Sequence, residues 1–186
     1  MTSVKETSGS PPAEATSESL LQRTATGDRG AFEELYRRMR TRVYALALAT
    51  LKNREDAQDV LQDVFVALFQ KADAYRGDGT AQSYILSMTA RLCKMRLRER
   101  GRRADLDEED WMPDLEDRAL TPYQRLLLNE CLTALDDEER QVLVLHAVSG
   151  MKHREIAKLL HKPLSTVLSK YNRAINKLQN KFGEGE

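Results

Sequence analysis

The sequence predicts an all-α fold, with two helical domains joined by an acidic linker and a helix-turn-helix closing the second. Three observations carry this expectation. Apolar residues recur at steps of three and four along nearly the whole chain, and β-branched runs of period two are absent. The five prolines and nine glycines fall mainly at the N-terminus, near Arg76 to Gly79 and around the middle, so breakers separate a few long helices. The charges are also sorted along the chain. A formal net charge of +0 hides basic residues crowding toward Arg103, acids from Asp105 to Asp117, and a second basic run from Lys152 to Lys181.

At 186 residues, 41% hydrophobic and 31% charged, the chain can bury a core and is not disordered throughout. Met1 to Thr16 is Ser, Thr, Pro, Glu and Ala with a single Val, which predicts a disordered tail over 1–16. The first domain is expected over 17–103. Ser17 or Ser19 can cap a short helix carrying Leu20 and Leu21, ended by Gly27. Asp28 caps a longer helix with Phe32, Leu35, Tyr36, Met39, Val43, Leu46, Ala47 and Leu51 inward. A third, from Glu55 to about Ala72, buries Ala57, Val60, Leu61, Val64, Phe65, Leu68 and Phe69, and leaves Asp56, Asp59, Gln62 and Asp63 outside. Those acids lie near a helix N-terminus, where the dipole favours them, so a structural role competes with a partner-binding one.

A flexible loop, Arg76 to Thr80, leads to a fourth helix from about Ala81 to Arg100. Its inner stripe is read as Tyr84, Ile85, Met88, Leu92, Met95 and Leu97, and its distal half carries Arg91, Lys94, Arg96, Arg98 and Arg100. Tyr75 and Tyr84 flank the loop and are placed to stack on an unpaired strand. The acidic stretch 104–120 reads as a linker, either a solvated tether holding two basic modules apart or a polyanion that occupies a channel built for nucleic acid.

The second domain is expected over 121–186. Thr121 and Pro122 start one helix. Asp136, with Glu139 three residues on, caps another that carries Val142, Leu143, Leu145, His146 and Val148 and ends at Gly150. Lys152 to Leu160 then makes a short amphipathic helix, and a longer one starts at Pro163. In that helix Leu164, Val167, Tyr171, Ala174 and Leu178 form one stripe, opposite Ser165, Thr166, Ser169, Lys170, Asn172, Arg173, Asn176 and Lys177. A short helix, a tight turn and a long helix with a basic, amide-rich and hydroxyl-rich face suit a DNA major groove. Between Lys152 and Lys181 the only acid is Glu155, a one-sign balance that points to phosphate.

Other classes are weakly supported. Cys93 and Cys131 lie far apart in helical patterns, which predicts reduced thiols in a reducing cytoplasm. With His146, His153 and His161 they make no metal constellation, and no cofactor is expected. No apolar stretch reaches the length of a membrane span, so no membrane insertion and a cytoplasmic location are expected. No nucleophile with its base and no phosphate-cradling glycine loop suggests an enzyme.

Three stretches in this order, DRGAFEELYRRMRTRVYALA, REDAQDVLQDVFVALFQKADAYRG and LDDEERQVLVLHAVSGMKHREIAKLLHKPLSTVLSKYNRA, resemble the extracytoplasmic-function sigma factors of bacterial RNA polymerase, over about Leu20 to Phe182. The resemblance implies region 2 and region 4 domains, with Asp56, Asp59, Gln62 and Asp63 meeting the β′ clamp helices of core polymerase. It further implies capture of unstacked minus-ten bases by the loop from Arg76 to Tyr84 with Arg91, Lys94 and Arg98. A minus-thirty-five element would be read by the last helix through Ser165, Thr166, Ser169, Lys170, Asn172, Arg173 and Lys177, and an anti-sigma factor would be a partner. The family commonly has Trp at Tyr84, Asn at Arg91, Asp at Met95, Gly at His161 and Lys at Leu168. The resemblance leaves a second reading open, a sigma-like decoy or adaptor that binds an anti-sigma factor without initiating transcription.

Overall fold

The computed structural model describes residues 15–77, 79–102 and 133–183, all helix or short connection. The expected linker at 104–120, most of the expected tail and the helix expected from Thr121 lie outside the described residues. The helices are α1 (Ser17–Ala25), α2 (Arg29–Leu51), α3 (Arg54–Lys71), α4 (Ala81–Arg102), α5 (Asp137–Ala147), α6 (His153–Leu160) and α7 (Leu164–Gly183), with one 3₁₀ turn at Ala72–Ala74.

Side-chain caps fix most helix starts. Thr16, rather than Ser17 or Ser19, caps α1, its Oγ1 accepting from Ser19 N–H at 3.2 Å. Asp28 caps α2, and Asn53 caps α3, its Oδ1 accepting from Asp56 N–H at 2.8 Å. Asp136 and Glu139 form the expected capping box of α5, with reciprocal bonds of 2.8 and 3.0 Å. Ala81, first in α4, donates its N–H to Glu18 Oε1 of α1 at 3.0 Å, so a side chain from another helix satisfies one of the orphan donors there.

The first four helices pack on one another around Leu21, Leu35, Met39, Leu46, Leu68, Ile85 and Leu86. Cys93 is free and belongs to this core, where burial pushes its thiol up to about 12. Several apolar residues stay out of it. Tyr36 and Phe69, expected inward, are exposed, as are Met95 and Leu97 on α4 and Val148 beyond α5. In α4 the buried residues are Ala81, Ile85, Leu86, Met88, Thr89 and Cys93, and the next turns place Arg96 and Arg100 toward α3 and α2. The expected stripe through Tyr84, Leu92, Met95 and Leu97 therefore drifts off the true one by about one position.

The halves are not held apart. One buried cluster runs from Leu20 and Leu46 through Ile85 to Val142, Leu145, Met151, Ile156 and Val167. Helix α2 packs against α5, and α4 against α6. A smaller cluster seats Ala49, with Ala45 beside it, against Leu135, Val144 and Ala174. Two polar links cross the same seam. Lys52 Nζ lies 2.7 Å from Asp137 Oδ1, and Gln82 Nε2 donates to Ser149 O at 2.6 Å.

Candidate nucleic-acid interface

Helix α7 is seated by its apolar side. Val167 and Ala174 are buried, and Leu164, Tyr171 and Leu178 half-buried, as the stripe requires. The turn before it depends on His161, whose backbone is left-handed at φ 53° and ψ 44°; its N–H and that of Lys162 close the end of α6 on Lys158 O and Ala157 O. Glycine adopts that conformation at no steric cost, whereas a Cβ makes it less favourable, though histidine is among the residues that tolerate it.

The outer face of α7 divides in two. Ser165, Leu168, Ser169, Asn172 and Arg173 are exposed and Thr166 is half-exposed, whereas the two lysines of the expected reading set are bonded inside the chain. Lys170 Nζ sits 2.9 Å from Asp136 Oδ2 and 3.1 Å from Glu138 Oε2, and Lys177 Nζ lies 2.7 Å from Glu139 Oε2. Hydrogen bonds to Asp136 and then Glu138 raise the Lys170 ammonium above its usual value. Glu138 is lowered by Lys162 and then Lys170. At Asp136 burial pushes up, but the Glu139 N–H and the Lys170 ammonium outweigh it and hold the carboxyl down. Acids at the start of α5 thus clamp α7 onto the bundle, and the periodicity of α7 alone contains no sign of them.

Helix α4 sorts its cations in the same way. Arg96 reaches Asp59 at 3.3 Å and Asp63 at 3.7 Å, and Arg100 reaches Asp56 at 3.3 Å and donates to Leu51 O at 3.0 Å. Arg91, Lys94 and Arg98 project outward, Arg91 and Arg98 on the side of the half-buried Tyr84 because steps of seven and fourteen residues return to one face, and Lys94 nearly a quarter turn further round. Tyr84 packs against Tyr75 with ring centroids 5.3 Å apart, and the Tyr75 hydroxyl donates to Gly79 O at 2.6 Å, which folds the loop back on itself. Arg76 is exposed in that loop.

On α3, Asp59, Gln62 and Asp63 are exposed and Asp56 half-exposed, as periodicity requires. Sequence reasoning missed their apolar neighbours. Val66 is 54% exposed and Phe69 50%, and Tyr36 of α2, also exposed, meets Phe65 edge-on at 4.7 Å. The signal available was Val66, an apolar residue out of step with the buried stripe. Among the described residues no group of three metal-ligating side chains occurs, and no helix is long and apolar enough to cross a membrane.

A four-helix domain with an acidic and apolar α3 and a cationic α4 is followed along the chain by a helix-turn-helix. Residues 35–103 match the family model of sigma-70 region 2 and residues 125–178 that of sigma-70 region 4. The chain belongs to the sigma-70 family and, within it, to the extracytoplasmic-function group. It is 28% identical over 180 residues to the extracytoplasmic-function RNA polymerase sigma factor SigK of Mycobacterium tuberculosis strain H37Rv, covering 92% of this chain and 96% of that one. SigM of the same strain is 29% identical over 164 residues, covering 88% and 83%. Two solved structures share the fold. CnrH in complex with the cytosolic domain of CnrY gives a TM-score of 0.65 at 23% identity, over 91% of this chain and 99% of that one. The sigma factor RpoE in complex with the anti-sigma factor NepR from Bartonella quintana gives 0.69 at 18%, over 83% and 98%.

Proposed function

We propose that this sigma factor binds core RNA polymerase through α3, captures melted minus-ten DNA on α4 and its preceding loop, and reads duplex minus-thirty-five DNA with α7. The observation that carries the proposal is the sorting of α4: Arg96 and Arg100 turn inward to carboxylates, while Arg91, Lys94 and Arg98 stay in water, Arg91 and Arg98 on the side of Tyr84. A merely solvated helix has no reason to align cations with an aromatic ring, but a single strand needs that combination, cations for its backbone and a ring for its bases. On α7 the exposed Ser165, Ser169, Asn172 and Arg173, with Thr166, are the base-facing and phosphate-facing groups. Lys170 and Lys177 support the helix from behind.

The polymerase contact is Asp56, Asp59, Gln62 and Asp63, extended by the apolar Val66 and Phe69. The acids, each already paired with Arg96 or Arg100 but with Asp59 and Asp63 more than half exposed, supply register, and the exposed apolar pair supplies most of the burial. An anti-sigma factor is a second partner of this reading, since one solved structure with this fold is a complex with an anti-sigma factor. An anti-sigma factor covering α3 would exclude polymerase by competition. The decoy reading differs in one measurable respect, since it requires anti-sigma binding without polymerase binding.

Paired variants test the assignment. Phe69→Asp should abolish capture of core polymerase while leaving duplex DNA binding by α7 unchanged. Arg173→Ala should do the reverse, with a shallower salt dependence by about one phosphate contact. If Arg173→Ala weakens core binding and spares DNA, the two faces have been exchanged, and if the unmodified chain captures anti-sigma factor but no polymerase, the decoy reading is correct.

A further inference from the structure

Leu168 is the one large apolar side chain exposed on α7 among the described residues, at 39%, and it belongs to neither buried cluster. The core side of the helix is complete without it, in Leu164, Val167, Tyr171, Ala174 and Leu178. It is the fifth residue of α7, in the first turns, the part of a recognition helix that reaches base edges. Its neighbours at helical spacing are Ser165 one turn before, Ser169 beside it and Asn172 one turn after, all exposed. The row therefore reads hydroxyl, isobutyl, hydroxyl, amide.

A single exposed leucine is ordinary on a protein surface, and by itself would need no explanation. One feature sets this one apart: it sits in the middle of the face of α7 that carries hydrogen-bonding groups, with exposed Ser165, Ser169 and Asn172 around it. A cation at this position would go to phosphate or to guanine. An aliphatic group has no hydrogen bond to offer, and the major groove presents one base-edge feature that rewards it, the C5 methyl of thymine. Asn172, one turn on, carries the amide geometry that pairs with adenine.

We propose that Leu168 is a specificity-determining residue that reads the C5 methyl group of one thymine in the upstream promoter element, between hydrogen-bonding contacts from Ser165 or Ser169 and Asn172. The inference rests on α7 being the duplex reader. It places an A·T pair at the position facing the start of α7, and it makes the thymine there sensitive to loss of a methyl group alone.

The test uses holoenzyme assembled from the full chain and core polymerase. Promoters are selected from random sequence for initiation, and each thymine of the upstream element is then replaced singly by deoxyuridine, which differs only in lacking that methyl. Affinity should fall about fourfold at one position, the worth of one buried methyl-sized group. With Leu168→Ala, binding to the thymine promoter should fall by a similar factor, and the loss on deoxyuridine substitution at that position should vanish. Leu168→Lys should also abolish the methyl sensitivity, while steepening the salt dependence by about one phosphate contact. The proposal is overturned if no thymine is methyl-sensitive, if Leu168→Ala leaves the deoxyuridine profile unchanged, or if Leu168→Ala impairs binding of core polymerase instead. Failure of the unmodified holoenzyme to initiate at all would overturn the underlying reading of α7 and is distinct from these outcomes.

Discussion

Arg173 and Lys177 are both cations on α7, four residues apart, yet they belong to different energetics. Arg173 is exposed. Lys177 faces the Glu139 carboxylate, which is 2% exposed and also closes the α5 capping box through Asp136 N–H. Removing the ammonium leaves a buried acid with one fewer partner, which costs about 1 to 2 kcal/mol. Lys177→Ala should therefore lower the thermal midpoint by several degrees, whereas Arg173→Ala should leave it within a degree, as read by circular dichroism on the full chain. His161 gives the opposite sign. Its left-handed backbone is strained for an L side chain, so His161→Gly should stabilise the chain by up to about 1 kcal/mol in the same melt. A break at His161 was legible in the sequence, because the apolar pattern stops and restarts there, whereas its left-handed backbone was implied only by the resemblance, which puts Gly at this position. The engagement of Lys170 and Lys177 was not, because their partners come from a helix more than thirty residues earlier and periodicity reports only which side of its own helix a residue occupies.

At the scale of elements, α5, α6 and α7 meet through aromatic rings. His146 of α5 and His153 of α6 stack with centroids 4.5 Å apart, and Tyr171 of α7 stands edge-on to both, at 4.9 and 4.7 Å. His146 Nδ1 lies 2.9 Å from Met151 O, and His153 Nε2 is buried without a hydrogen-bond partner among the described residues. Burial and then the neighbouring His146 lower the His153 imidazole from its ordinary 6.5. The neutral ring is the one the fold holds, so the unfolded chain takes up the proton first, and stability falls as pH drops below about 6.5. The thermal midpoint of the chain should fall between pH 7.5 and 5.5 by more than that of His153→Gln; equal falls would mean that His153 does not titrate against the fold. The helices of this joint were legible in the sequence from capping residues and apolar spacing. The ring stack was not, since His146 and His153 read as one inward residue and one near a helix start.

Taken whole, the molecule is two basic halves sharing one core across a seam. Ala45 and Ala49 face the second half with small side chains, and polar links there include the Lys52–Asp137 pair, half-exposed and worth little in water, and the Gln82–Ser149 bond. Ala49→Glu should open the seam while both halves stay helical, which small-angle scattering would record as a larger radius of gyration at unchanged circular dichroism; lost helicity would show that the seam is part of the folding core. The sequence carries the helices and the sorting of charge, but not this packing. An alanine at an interface and an alanine in a helix interior look alike in one dimension.

The central claim, that these faces form the promoter grip of a polymerase subunit, is tested most directly by run-off transcription. Core RNA polymerase is mixed with the full chain and a library of genomic fragments, and the transcripts are sequenced. Discrete start sites that share an upstream and a downstream element are expected, lost with Phe69→Asp and with Arg91, Lys94 and Arg98 replaced together by Ala. Absence of any start site above core polymerase alone would contradict the claim.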